Sequence, residues 1–233
     1  MRTKAIFVAM LLALAPFPIV AQDFDVGLAA YQRGDYATTL KEWKPLAEQG
    51  YARAQSNLGV MYEQGHGVLQ DYAQAVRWYR AAAEQGYARA QGNLGFMYAK
   101  GQGVAQDYAE AVRWYLMAAD QGDAPAQNNL GFMYANGQGV LQDFAEAVRW
   151  YRLAADQGNS PAQNNLGAMY TNGEGVAQNY LLAHMWANIA AANGSEKAVE
   201  ARERLDRMMN STDIAEAQRR ARVCMESNYQ DCK

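Results

Sequence analysis

The chain has 233 residues and few imidazole or thiol groups with which to perform acid–base, nucleophilic or metal chemistry. It holds two histidines, His66 and His184, and two cysteines, Cys224 and Cys232. An imidazole base or a zinc centre built from cysteine and histidine has only these residues to draw on. No His-Glu-x-x-His, Walker loop, Gly-x-Ser-x-Gly elbow or Cys/His zinc spacing is present. His66 stands between Gly65 and Gly67, and the equivalent position further along the chain holds Gln102, Gln138 and Glu174, so an exposed residue with no chemical task is expected. His184 replaces a valine beside Met185 and Trp186, where contact with the C-terminal helices is expected. The chain therefore reads as non-catalytic, with no cofactor and no metal. Cys224 and Cys232 are not spaced as Cys-x-x-Cys, and histidine is scarce, so a disulfide is the simple reading. Closing so short a loop contributes roughly 2–3 kcal/mol on the chain-entropy account.

The remaining chemistry is recognition, and it follows from a repeat. Residues 51–86, 87–122, 123–158 and 159–194 are four copies of one 36-residue unit. The second and third copies differ at 8 of 36 positions, which fixes the register. Each unit reads as two helices. In the third, Ala126, Leu130, Met133 and Tyr134 recur at helical spacing before Gly137 and Gly139 end the helix. Asp143 is a natural cap for a second helix carrying Ala147, Trp150, Tyr151, Ala154 and Ala155 and ending at Gly158. A single pair cannot bury its apolar face, whereas stacked pairs can. Gly59, Gly95, Gly131 and Gly167 lie inside the first helices, where glycine costs about 1 kcal/mol relative to alanine. Close approach of Trp78, Trp114, Trp150 and Trp186 is the expected reason.

Comparing the units with one another separates a packing face from a free one. Positions 4, 5, 7, 8, 9, 11 and 12 of the unit are nearly constant, while positions 3, 6, 10, 13 and 14 vary. At about 100° per residue the variable set falls on a single helix face. Position 10 places Val60, Phe96, Phe132 and Ala168 on that face, among Arg53, Arg89, Gly92, Asn128, Asn136 and Asn172. An apolar stripe in polar surroundings is a candidate partner site; the alternative is that a neighbouring unit buries the rings. Beside the stripe stand Asn57, Asn93, Asn129 and Asn165. Such a ladder can hold the backbone of an extended peptide, or each amide can bond the main chain of its own or the next unit, the commoner arrangement. Arg77, Arg113 and Arg149 are expected in surface ion pairs.

The pattern AQxNLGxMYxxGxGVxQDYxxAxxWYxxAAxQG resembles the Sel1-like repeat (SLR) family, a relative of the tetratricopeptide repeats. The resemblance implies an all-α, right-handed α-solenoid of helix-turn-helix repeats with a C-terminal helical cap. Residues 22–50 resemble a shortened, tetratricopeptide-like first unit that keeps Gly34-Asp35-Tyr36. Residues 195–233 are expected to form capping helices and a disulfide tail, with Ala201, Leu205 and Met208 along one helix, Ile214, Ala217 and Ala221 along the next, and a cap at Ser211 or Thr212. The resemblance further implies an adaptor or regulator in the bacterial envelope; secretion to engage a host protein is the alternative. Cysteine-rich relatives with penicillin-binding or β-lactamase-like activity carry a cysteine pair in each unit, and these units carry none.

Residues 1–21 have the order of a secretory signal peptide: Arg2 and Lys4, an apolar stretch from Ala5 to Ala15, then Pro16, Pro18 and Ala21. The stretch is shorter than the roughly 20 residues of a membrane span, so the expectation is an exported chain, most simply periplasmic, with no stable membrane insertion. Removal of Arg2 and Lys4 takes the net charge from −3 to −5. A mildly acidic chain has no electrostatic footprint for nucleic acid. The partner expected is a protein or peptide.

Overall fold

A computed structural model describes residues 23–232, which fold into twelve helices with no strand among them. The signal-peptide reading of residues 1–21 lies outside the described residues. The first pair is α1 (Phe24–Gln32) and α2 (Tyr36–Glu48). Four longer pairs follow: α3 (Ala52–Gln64) with α4 (Tyr72–Ala83), α5 (Ala88–Lys100) with α6 (Tyr108–Ala119), α7 (Ala124–Asn136) with α8 (Phe144–Ala155), and α9 (Ser160–Asn172) with α10 (Tyr180–Ala192). Helices α11 (Glu196–Asp206) and α12 (Ser211–Glu226) close the chain. From α1 to α11 each helix packs on its neighbours in sequence, and α10 carries both α11 and α12, which is the arrangement of a helical solenoid.

Local chemistry fixes where each helix starts and stops. Asp71, Asp107, Asp143 and Asn179 each cap the second helix of a pair with a side-chain oxygen, satisfying backbone donors that a helix start leaves open. The first helices end on Gly65, Gly101, Gly137 and Gly173, all left-handed. The second glycine of each loop is also left-handed, and any side chain at Gly103, Gly139 or Gly175 would run into the carbonyl of Tyr72, Tyr108 or Phe144 in the preceding unit. The Gly-x-Gly pairs are thus turns that also seat one unit on the next.

The glycines inside the first helices are explained by close approach, but against a different residue from the one expected. A Cβ on Gly59, Gly95 or Gly131 would lie 2.6–2.8 Å from a ring carbon of Tyr79, Tyr115 or Tyr151. The adjacent tryptophan points a different way along the helix. Trp114 packs into the core that α5 of its own unit shares with α4 of the preceding one, and Trp150 into the core that α7 shares with α6. In the last unit Ala187 replaces the tyrosine, and there the Cβ of Trp186 does approach Gly167.

The terminal helices cover the last unit: Leu205, Ala217, Ala221 and Cys224 join the core of α9 and α10. Two expectations are corrected here. Asn210 caps α12, one residue before Ser211, by accepting from the Asp213 N–H. Met208 is 56% exposed, because it lies beyond the end of α11.

Candidate interaction face

Asp123 caps α7, its Oδ1 accepting from the Ala126 N–H at 2.9 Å. A Cβ on Gly92 would lie 3.4 Å from that oxygen and 3.6 Å from the Ala126 Cβ. The glycine therefore lets the start of α7 settle close to α5. Between the two helices lies a cleft of about 460 Å³ lined by Arg89, Asn93, Phe96, Asp123 and Asn129. The structure so brings together three of the candidate residues: Phe96, from a position that varies between units, and Asn93 and Asn129, from the constant asparagine ladder. Burial pushes the Asp123 carboxyl above its ordinary range, while its bond from Ala126 and the nearby charge of Arg89 pull the other way.

Phe96 is 36% and Phe132 48% exposed, so no neighbouring unit buries these rings. Phe132 lies one unit on and outside this cleft. Val60 is half-buried against the core of the first units, and Ala168 lines a separate cleft of about 510 Å³ between α9 and α11.

Asn57, Asn93, Asn129 and Asn165 are all half-buried. Their amides do not form the main-chain ladder that is commoner for such groups: Asn165 Nδ2 donates to Asn128 Oδ1 at 3.0 Å, and Asn128 Nδ2 reaches Asn129 Oδ1 at 3.5 Å. That ladder belongs to position 5. The Nε2 groups of Gln55, Gln91, Gln127 and Gln163 donate to the carbonyls of Ala47, Ala83, Ala119 and Ala155. Their oxygens accept from Gln85, Gln121, Gln157 and Asn193. Sequence reading passed over these glutamines; their constancy on an otherwise apolar packing face was the available signal.

His66 is not idle. Its Nδ1 lies 3.0 Å from the Tyr31 hydroxyl, and its ring stacks on Tyr36 with centroids 4.6 Å apart. It fastens the short first pair to the first full unit. His184 contacts the terminal helices as expected: fully buried, its Nε2 lies 2.8 Å from Asp206 Oδ1 and its Nδ1 2.7 Å from Asn188 Nδ2. The Asn188 side-chain nitrogen also donates to the His184 carbonyl at 3.0 Å. Such an imidazole has no access to a substrate. Among the described residues no three His, Cys, Asp or Glu side chains are placed to hold a metal.

Arg113 and Arg149 pair with Glu110 and Glu146 at 2.9 Å, each while lying over the neighbouring tryptophan ring. Arg77, with Gln74 in place of a glutamate, keeps only its tryptophan. Cys224 and Cys232 are joined, with Cα atoms 4.6 Å apart. The loop they close returns Tyr229 to the body of the protein, where its hydroxyl bonds Asn193 and its ring rests on Gly158.

The Sel1 repeat family matches residues 52–87, 88–123, 124–159 and 160–195, one residue later in phase than the units drawn above. The chain belongs to the Sel1 repeat family. Sel1 repeats generally mediate protein–protein interaction. This Sel1 repeat protein is 31% identical to one from Oxalobacter formigenes, covering 90% of this chain and 85% of that one with a TM-score of 0.71. It is 35% identical to a protective antigen present in uropathogenic Escherichia coli strains that displays an SLR fold, over 90% of this chain with a TM-score of 0.69; it spans 50% of the antigen's chain. A Sel1 repeat protein from Klebsiella pneumoniae, at 24% identity, a TM-score of 0.53 and coverage of 78% and 91%, shares the fold. No curated protein matched the sequence. No described helix is long and apolar enough to cross a membrane.

Proposed function

We propose that this Sel1 repeat protein is a non-catalytic scaffold, an adaptor or regulator in the bacterial cell envelope, that binds a peptide or protein along the face of α3, α5, α7 and α9. The observation that carries the reading is the exposure of Phe96 and Phe132 at one position of successive units, with a cleft beside the first. Exposed aromatic rings bordered by polar groups are characteristic of interaction surfaces. Asn93 and Asn129 line the same cleft and supply donors and acceptors for a bound main chain. The envelope assignment is supported by the signal-peptide order of residues 1–21 and by the Cys224–Cys232 bond, a form of cross-link that persists in oxidising compartments. Likeness to a protective antigen favours a second reading, secretion to engage a host protein.

Crosslinking capture in cells tests the proposal, with tagged wild type beside a Phe96→Asp/Phe132→Asp variant and mass spectrometry as the readout. One envelope protein enriched by the wild type and absent from the variant is expected. Enrichment that is the same for both would place the contact elsewhere, and enrichment only from host-cell extracts would favour the second reading.

A further inference from the structure

Charge is distributed unevenly over the interaction face. The variable positions of α3, α5, α7 and α9 carry Arg53, Arg89 and Lys100 against a single acid, Glu63, on a chain whose net charge is −3. Glu63 is already engaged, accepting the hydroxyl proton of the buried Tyr79. None of the three cations has a carboxylate within ion-pair distance among the described residues. Aromatic rings hold two of them instead: the Arg53 guanidinium lies 4.1 Å from the Phe24 centroid and the Lys100 ammonium 5.7 Å from that of Phe96. A π face positions a cation without neutralising it, so the N–H donors stay available to an incoming acceptor. Arg89 shares its cleft with Asp123, whose Oδ1 is committed to capping α7. The cations are confined to the first two full units: the positions of Arg53 and Arg89 become Pro125 and Pro161, and that of Lys100 becomes Asn136 and Asn172.

We infer that the occupant of this face is an extended acidic segment of a protein, with Asp or Glu side chains over Arg53, Arg89 and Lys100 and an apolar side chain against Phe96. The placement of the apolar side chain rests on the function proposed above. Guanidinium groups pair with carboxylates through two parallel N–H donors. On an acidic molecule, one basic patch beside an apolar ring steers an acidic ligand to that place and in one direction along the solenoid.

Panning a phage-displayed library of random peptides of about 12 residues against the purified protein at low salt tests the inference. The expected consensus has Asp or Glu flanking Leu, Phe or Trp, and a synthetic consensus peptide should lose about tenfold in affinity as salt screens the charges. Arg89→Glu/Lys100→Glu, with helicity checked by circular dichroism, should weaken that peptide about tenfold or more and turn the selected consensus basic. A consensus without acidic bias, or an acidic peptide bound equally by the charge-reversed variant, overturns the inference, as does a library that fails to enrich over an unrelated protein. Phe96→Ala/Phe132→Ala separates this result from the underlying reading. An uncharged apolar consensus lost with that variant keeps the face and removes the acidic partner. An acidic consensus that survives it but not charge reversal keeps the acidic partner and removes the rings.

Discussion

The ring of Tyr115 occupies the space that a side chain on Gly95 would need, with Cδ1 2.8 Å and Cε1 2.9 Å from an ideal Cβ. Gly95→Ala should therefore destabilise the protein. Overpacking costs roughly 1–3 kcal/mol, against about 1 kcal/mol recovered from helix propensity. Gly131→Ala should behave alike. Gly167→Ala should cost less, since its nearest neighbour is the Ala183 carbonyl at 3.3 Å and no tyrosine faces it. Urea unfolding of the three variants checks the order; equal costs for all three would contradict it.

How far the fold can be read from the sequence is seen at these positions. The repeat, the caps at Asp107 and Asp143 and the left-handed Gly137 follow from local chemistry, which the four units state once each. Which of two adjacent rings faces Gly95 does not follow, because Trp114 and Tyr115 differ by about 100° around the helix and the choice is made by packing between units, where Trp114 enters the core of α4 and α5. His66 misleads for a related reason: its partners Tyr31 and Tyr36 belong to the short first pair, outside the repeat on which the comparison rests. Phe96 and Phe132 are legible as exposed residues, since freedom to vary between units reflects the lack of a fixed neighbour. The Arg53, Arg89 and Lys100 patch needs coordinates, because only geometry separates a cation held by a ring from one held by a carboxylate.

Gln127 joins three elements: its Nε2 donates to the Ala119 carbonyl at 3.1 Å and its Oε1 accepts from Gln157 at 2.8 Å. Gln127→Ala leaves that buried carbonyl without its side-chain donor, and a loss of about 1–3 kcal/mol is expected. Exchange of the amides in α7 and α8 should accelerate more than in α3 and α4, because solenoid stability is a near-neighbour property. Uniform acceleration along the chain would argue against this local role.

Burial raises the Asp123 carboxyl in the folded chain above its unfolded value. Its contribution to stability is therefore fullest below the ordinary carboxylate range and is lost as pH rises through the raised folded value. Asp123→Asn keeps a capping oxygen, as Asn159 provides for α9 at 3.0 Å, and does not ionise. The melting temperature of the variant relative to wild type should therefore be higher at neutral pH than near pH 3. A difference that is flat with pH, or larger in acid, would contradict the assignment.

Replacing Cys224 and Cys232 by serine should cost roughly 2–3 kcal/mol or less, on the chain-entropy account. The loss should centre on α12 and the Tyr229 contact with Asn193, with little change in α3 to α6. Hydrogen exchange with and without a dithiol reductant distinguishes this from a general loosening.

The central claim is that Phe96 and Phe132 serve recognition and not packing, and the Phe96→Asp/Phe132→Asp variant addresses it most directly when its melting curve and its retention of the captured partner are measured on one sample. The account predicts unchanged helicity, a stability within about 0.5 kcal/mol per site of wild type and loss of the partner. A large fall in stability, or a partner retained by the folded variant, would show that the rings are not the recognition surface.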